Sequence, residues 1–319
     1  MDISEDDDVA IQHQNADRVI ASSFAPLFAA LSTMQPSYSL LPVTLVTDRN
    51  SLRKLFNYVC VHPGRAWRIE AELVEGTLFL TRWEANSGQI IIGSLHSGHG
   101  HEFEKTFLKF EEGLEDSSSH HRIIEYEIAG MKWVVRFEAD GYVENEPENK
   151  GSMVVKASQI YAEVTAATET LLSNVQSQPT MLEGIDVIQK GHLVPPDSVI
   201  EAKCIAQRGT RLTKNTPQCW FSQTRHLFVG RHKNGRVNRV DKTEMSQVFG
   251  NWEENHQDKL RELTNLVKDI ISKVGETSGR KCSVIWDVRK KPRQFQILKS
   301  DDRRLIISPE VRNRFWPSV

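Results

Sequence analysis

The chain has 319 residues, 39% hydrophobic and 26% charged, so it can bury a core of ordinary size without a disulfide or metal staple. Its 40 Lys and Arg against 42 Asp and Glu leave a net charge of -2, which excludes bulk charge as a pointer to nucleic acid. Cys60, Cys204, Cys219 and Cys282 stand far apart without zinc-type spacing, no apolar run spans a bilayer, and the start is acidic. The expectation is a soluble nuclear or cytoplasmic protein with reduced thiols, monomeric rather than oligomeric.

Residues 1–15, opening MDISEDDD, are expected to be a disordered acidic tail before a single domain over 16–319. Residues 16–34 carry a helical apolar pattern that restarts at Pro26. TDRNSLRKLFNYV (47–59) reads as a short helix with Leu52, Leu55 and Phe56 on one face. RIEAEL (68–73) and LFLTRW (78–83) flank a tight turn and predict a hairpin. Phe103, Phe107 and Phe110 recur at four and three, predicting a helix over 101–114. RIIEYEI (122–128) and MKWVVRFEAD (131–140) read as strands joined at Ala-Gly.

Residues 144–190 are expected to be an insertion or flexible excursion, with a helix over 158–175. SVIEAKCIAQ (198–207) is the next strand. HLFVGRH (226–232) and VNRV (237–240) form a hairpin around Asn-Gly. Leu260, Leu263, Val267, Ile270 and Val274 mark the clearest helix, 251–274, and strands at 282–288 and 293–299 follow. The sum is an α/β (α+β) domain, a mixed central β-sheet flanked by helices.

Alternation along a strand puts Glu138 beside Asp140 and Glu201 beside Lys203. Apolar neighbours (Val134, Val135, Val199, Ile200, Ala202) make both strands look buried, and buried charges need partners. Two resolutions stay open. Lys203 and Arg136 could neutralise the carboxylates in a structural network, or Asp140 and Glu201 could hold a hard divalent cation. An Asp followed on a neighbouring strand by Glu-x-Lys is the minimal signature of PD-(D/E)XK nucleases. Arg208, Arg211, Lys214, Arg225, Arg231, Lys233, Arg236, Arg239 and Lys242 add a basic stretch that suits a phosphate backbone or a solvated surface.

A longer set of motifs stands in order. It comprises Thr47-Asp48-Arg49, Gly100-His101-Glu102-Phe103-Glu104, Glu138-Ala139-Asp140, Glu201-Ala202-Lys203 and Cys219-Trp220-Phe221-Ser222-Gln223. In that order and rough spacing the chain resembles the decapping exoribonuclease family (the DXO/Rai type) from about residue 40 to 300. The resemblance implies hydrolysis at the 5′ end of single-stranded RNA with Mg²⁺ or Mn²⁺. It implies metal ligands Glu104, Glu138, Asp140, Glu201 and the carbonyl of Ala202, with Lys203 and Gln223 positioning water. Arg49 would contact phosphate, Trp220 and Arg225 would lie on the substrate side, and another exonuclease would be a possible protein partner. The long span from Asp140 to Glu201 and His101 in an apolar position depart from the family pattern and mark a divergent branch. A DNA nuclease of the same fold, and a catalytically inactive RNA- or protein-binding member, are the alternatives. The run His96, His99, His101 reads as a turn before a helix rather than a transition-metal site.

Overall fold

The structure is a computed structural model that describes residues 2–4, 9–11, 22–62, 64–84, 90–92, 98–144, 180–182, 184–207, 212–290, 292–300 and 307–317. Most of the expected acidic tail and the whole expected helix 158–175 lie outside the described residues. No described helix is long and apolar enough to cross a membrane.

β1 (Val9–Ile11) pairs with β5 (Ile90–Ile92) as a short antiparallel ribbon. Helix α1 (Ala25–Met34) has Pro26 in its first turn, where the missing N–H is no loss. β2 (Leu45–Asp48) runs straight into α2 (Arg49–Val59), so the predicted helix from 47 begins as a strand. A four-residue strand is too short to show alternation, and its identity comes from parallel pairing on both sides. β3 (Trp67–Val74) and β4 (Thr77–Trp83) form the expected hairpin, with Glu75 and Gly76 at positive φ.

Helix α3 (Gly100–Phe107) is half the predicted length. Only Phe103 of its apolar stripe is buried, while Phe107 and Phe110 are 41% and 54% exposed, so no packing sustains the helix beyond two turns. β6 (His121–Ile128) and β7 (Met131–Glu138) turn at Ala129 and Gly130, both at positive φ. β8 (Gly141–Tyr142) follows at once. Within the expected excursion, β9 (Thr180–Leu182) and β10 (Ile185–Val187) make a small hairpin.

β11 (Val199–Ala206) precedes α4 (Leu212–Phe221), a helix that the sequence hid by placing Pro217 inside it. β12 (His226–Lys233) and β13 (Arg236–Glu244) turn at Asn234-Gly235, both at positive φ as the Asn-Gly signal requires. α5 (Ser246–Gly275), β14 (Lys281–Asp287), β15 (Gln294–Lys299) and α6 (Pro309–Phe315) complete the chain.

The expected α/β architecture of a mixed central sheet flanked by helices stands, with the described strands divided between two main sheets. The larger has the order β15-β14-β3-β4-β2-β7-β6, with β2 parallel to both β4 and β7. Its faces are divided by strand alternation. Leu45, Trp133 and Val135 pack with α2, α4 and α5, while Val46, Phe79 and Val134 pack with α1 and α6. The smaller sheet has the order β13-β12-β11-β8. Phe103 of α3 lies on Gly230, where a Cβ would come within 2.3 Å of its ring, so glycine is needed for the helix to seat. On the other face Cys219 of α4 packs with Leu227, Val229 and Met245.

The chain passes from the large sheet to the small one between Glu138 and Gly141. β7 ends at Glu138, and β8 pairs antiparallel with β11 through Gly141↔Ile200 and Tyr142↔Val199. This two-residue crossing, Ala139-Asp140, positions the site.

Candidate active site

Asp140 stands where the β8–β11 ladder stops. The next backbone donor along β11, the N–H of Ala202, has no strand partner on that side and donates to Asp140 Oδ2 at 2.7 Å. The carboxylate thus continues the ladder and is fixed against β11. One residue earlier, Glu201 points into the molecule and is 1% exposed. Arg49 Nη1 donates to Glu201 Oε2 at 2.7 Å, and Gln218 Nε2 and Lys203 Nζ both reach Glu201 Oε1. Lys203 Nζ also donates to the carbonyl of Ala202 at 2.8 Å and lies 3.4 Å from Asp140 Oδ2.

Arg49 is the first residue of α2, placed at the large-sheet end of the crossing by β2. Besides Glu201 it donates to Ser222 Oγ at 3.2 Å and, from Nη2, to the Glu138 carbonyl at 3.2 Å. Its guanidinium lies over the Phe137 ring, 5.4 Å from the centroid. Strands from both sheets and helices α2, α3 and α4 therefore meet around one group of charges.

The charges are not balanced. Burial pushes Glu201 up, but Arg49 and Lys203 outweigh it and hold the carboxyl below its ordinary range. Burial alone would lower Lys203, yet Glu201 and Asp140 raise it above the usual lysine value. Asp140 goes the other way. Burial and the neighbouring Glu201 lift it to about 6, against the pull of Lys203, the Ala202 N–H and Arg49. Glu104, on α3, is lifted to about 8 by burial and by Asp140, with Glu138 and Glu201 adding to the repulsion. Carboxylates thus outnumber the cations that reach them, and the surplus falls on Glu104 and Asp140.

Of the residues singled out from sequence, Arg49, Glu104, Asp140, Glu201, Ala202 and Lys203 come together. Glu138 contributes its carbonyl to Arg49 and its charge to Glu104, although its residue is exposed at the strand end. Three others are placed differently. Gln223, at positive φ, folds its amide back onto the Trp220 carbonyl at 2.7 Å, and Gln218 is the glutamine that reaches Glu201. Trp220 is 6% exposed, packs on Trp252 and Phe221, and donates Nε1 to Glu253 at 2.6 Å, so it is core rather than a stacking platform. Arg225 is exposed and pairs with Asp197 at 2.9 Å.

Arg136, offered by the sequence as a structural partner of the carboxylates, instead makes a two-pronged pair with Asp48 at 2.7 and 3.2 Å and donates to the Ser23 carbonyl at 2.7 Å. The basic stretch is partly neutralised in place, because Arg231 and Arg239 share Asp241. His99 bonds the Ser4 carbonyl and its ring meets His232, while His96 lies outside the described residues. Sequence reasoning missed Gln218, on α4, and Ser222, four positions on and just past the end of that helix. Their spacing becomes meaningful only once α4 is known to be a helix.

The overall fold is similar to that of solved Rai1 structures. Similar structures include Rai1 of S. pombe, 12% identical, with 82% of this chain and 73% of that one covered at a TM-score of 0.52. Rai1 of Scheffersomyces stipitis in complex with (3'-NADP)+ and calcium ion is 11% identical over 92% of this chain and 78% of that one, at 0.58. Rai1 of Candida albicans in complex with pU5-Mn2+ is 12% identical over 91% and 80%, at 0.50. At these identities the likeness is one of fold, and the fold is the one that the motif resemblance implied. By sequence, the chain belongs to the family described as a domain of unknown function (DUF8563), whose model matches residues 1–316. No curated protein matches it.

Proposed function

We propose that this chain hydrolyses phosphodiester or phosphoanhydride bonds at the 5′ end of single-stranded RNA, using a divalent cation in a PD-(D/E)XK-type site. The observation that carries the reading is the convergence of Glu104, Asp140, Glu201 and Lys203 at the crossing between two sheets, with acids in excess. The Rai1 structures bound to pU5-Mn2+ and to calcium ion with (3'-NADP)+ share this fold and support the ligand class.

The donor set suits a hard cation: carboxylate oxygens of Asp140 and Glu201, the Ala202 carbonyl, and Glu104 facing them. Mg²⁺ or Mn²⁺ held there would supply Lewis-acid stabilisation of charge on the phosphate oxygens. Lys203 Nζ bridges those same donor oxygens, and with a divalent cation held by them its ammonium would be left to face the phosphate. Arg49, bonded to both Glu201 and Ser222, holds Glu201 in one orientation. Glu104, ionised beside a bound cation, would be placed to accept a proton from the attacking water.

A second reading is favoured by one observation. Among the described residues no group of three or more His, Cys, Asp or Glu side chains stands arranged to hold a metal ion, and an ammonium occupies the centre. On that reading the chain binds RNA without cleaving it. Incubation of the purified protein with 5′-monophosphate, triphosphate, capped and NAD-capped RNAs, with and without Mn²⁺, separates the two. The expected result is metal-dependent cleavage that falls by about a thousandfold in Asp140→Asn with Glu201→Gln, from the several kcal/mol that a metal site contributes. Equal turnover by wild type and double variant would reject the site, and binding without turnover on every substrate would establish the second reading.

A further inference from the structure

Arg53 lies four residues after Arg49 on α2, on the same helix face and about 6 Å further along the axis. It is half-buried, and its charge falls within range of Arg49, Glu201 and Cys219. It makes no hydrogen bond or ion pair with any described residue. Its neighbours show how unusual this is. Arg49 is bonded to Glu201, Ser222 and the Glu138 carbonyl, and Lys54 reaches Glu84 at 3.8 Å. A guanidinium carries five donors, and withdrawing it partly from water beside a second arginine is unfavourable unless an anion satisfies it. Structural arginines elsewhere in the chain are satisfied within the protein, Arg136 by Asp48 and Arg314 by the Tyr38 and Pro36 carbonyls.

We propose that Arg53 binds a second phosphate of the substrate strand, next to the one being attacked, so that the site takes a phosphorylated polynucleotide end rather than an isolated phosphoester. This rests on the RNA-hydrolase reading above, but it can fail separately from it. Arg49 is committed to Glu201, so it orders the acidic half of the site, while Arg53 on the same helix face has no partner among the described residues. A planar fork accepts two phosphate oxygens at once, which a point charge does not.

The test is fluorescence anisotropy with the full chain in EDTA, where turnover stops. The probes are two labelled oligoribonucleotides of one sequence, one with a 5′-phosphate and one with a 5′-hydroxyl. Arg53→Gln should weaken binding about tenfold, as expected for a lost charge-assisted contact, with Arg53→Lys recovering part of it. The slope of log affinity against log salt should fall by about 0.7, the value for one fewer phosphate contact on a single strand. A loss confined to the 5′-phosphate probe identifies the terminal phosphate, and an equal loss on both identifies an internal phosphodiester. Unchanged affinity and slope in Arg53→Gln would overturn the inference, as would a wild type that binds neither probe. Arg53-dependent binding by a wild type that never cleaves supports Arg53 while ending the hydrolase reading. Cleavage by a wild type whose binding ignores Arg53 does the reverse.

Discussion

Two clusters of charge sit back to back at the start of α2, and they are built to opposite plans. Asp48 and Arg49 are adjacent in sequence, yet Asp48 faces Arg136 and Arg49 faces Glu201. The Asp48–Arg136 pair is closed. Arg136 is 2% exposed, spends its fork on one carboxylate and one carbonyl, and packs over the Phe24 ring. The cluster around Glu201 is open, because Asp140 and Glu104 carry charge that Arg49 and Lys203 do not cancel, while Arg53 has donors to spare. A balanced buried pair holds a fold together. An unbalanced one, placed where two sheets meet, is the kind of site that a bound ligand would complete.

The comparison breaks most visibly at Arg136. Arg136→Ala should destabilise the protein by about 3–5 kcal/mol, because it strands Asp48 partly buried without its partner. Urea denaturation measures this, and the folded variant should keep its RNA activity. An activity loss without a stability loss would mean that the two clusters have been assigned the wrong way round.

The open cluster makes the opposite prediction for stability. A carboxyl whose folded value is raised keeps its proton while the unfolded chain releases it. Stability therefore falls as pH rises from the ordinary glutamate value of 4.5 to about 8 for Glu104, and from 3.8 to about 6 for Asp140. Glu104→Gln should flatten the upper part of that fall and leave the protein more heat-stable than wild type at pH 8 to 9. Mn²⁺ should do the same for wild type by binding only the folded state. A Glu104→Gln variant that melts below wild type at that pH would show that Glu104 is a structural partner instead.

A smaller effect separates the two glutamines. Gln218→Ala should lower turnover about tenfold, the worth of a hydrogen bond to a charged group, whereas Gln223→Ala should change it little. The reverse order would restore Gln223 to the role that its motif suggested. The smallest effect belongs to Arg225→Ala, an exposed pair that contributes about 0–1 kcal/mol and no activity.

Much of this was legible from residue order. The hairpins at Ala129-Gly130 and Asn234-Gly235 announce themselves through residues that tolerate positive φ, and α5 through its apolar spacing. The acid–lysine set was legible because strand alternation pairs Glu201 with Lys203 whatever the sheet. What the sequence concealed was local geometry imposed from a distance. β2 is a strand only because β4 and β7 flank it, and α3 stops at Phe107 because nothing covers Phe110. The split into two sheets turns on two residues, Ala139-Asp140, that read as the end of a strand. Gln218 and Arg53 were invisible for the same reason. Each acquires its role from the face of a helix, and Pro217 disguised one helix while the other was read for its apolar side alone.

Mn²⁺ binding followed by electron paramagnetic resonance tests the cation site most directly, since protein-bound Mn²⁺ drops out of the sharp signal of the free ion. Titrating the full chain at pH 8 should deplete that signal for wild type and for Arg136→Lys, and leave it intact for Asp140→Asn with Glu201→Gln. A wild type that leaves the free-ion signal untouched would contradict the claim that the meeting point of the two sheets is built to take a cation.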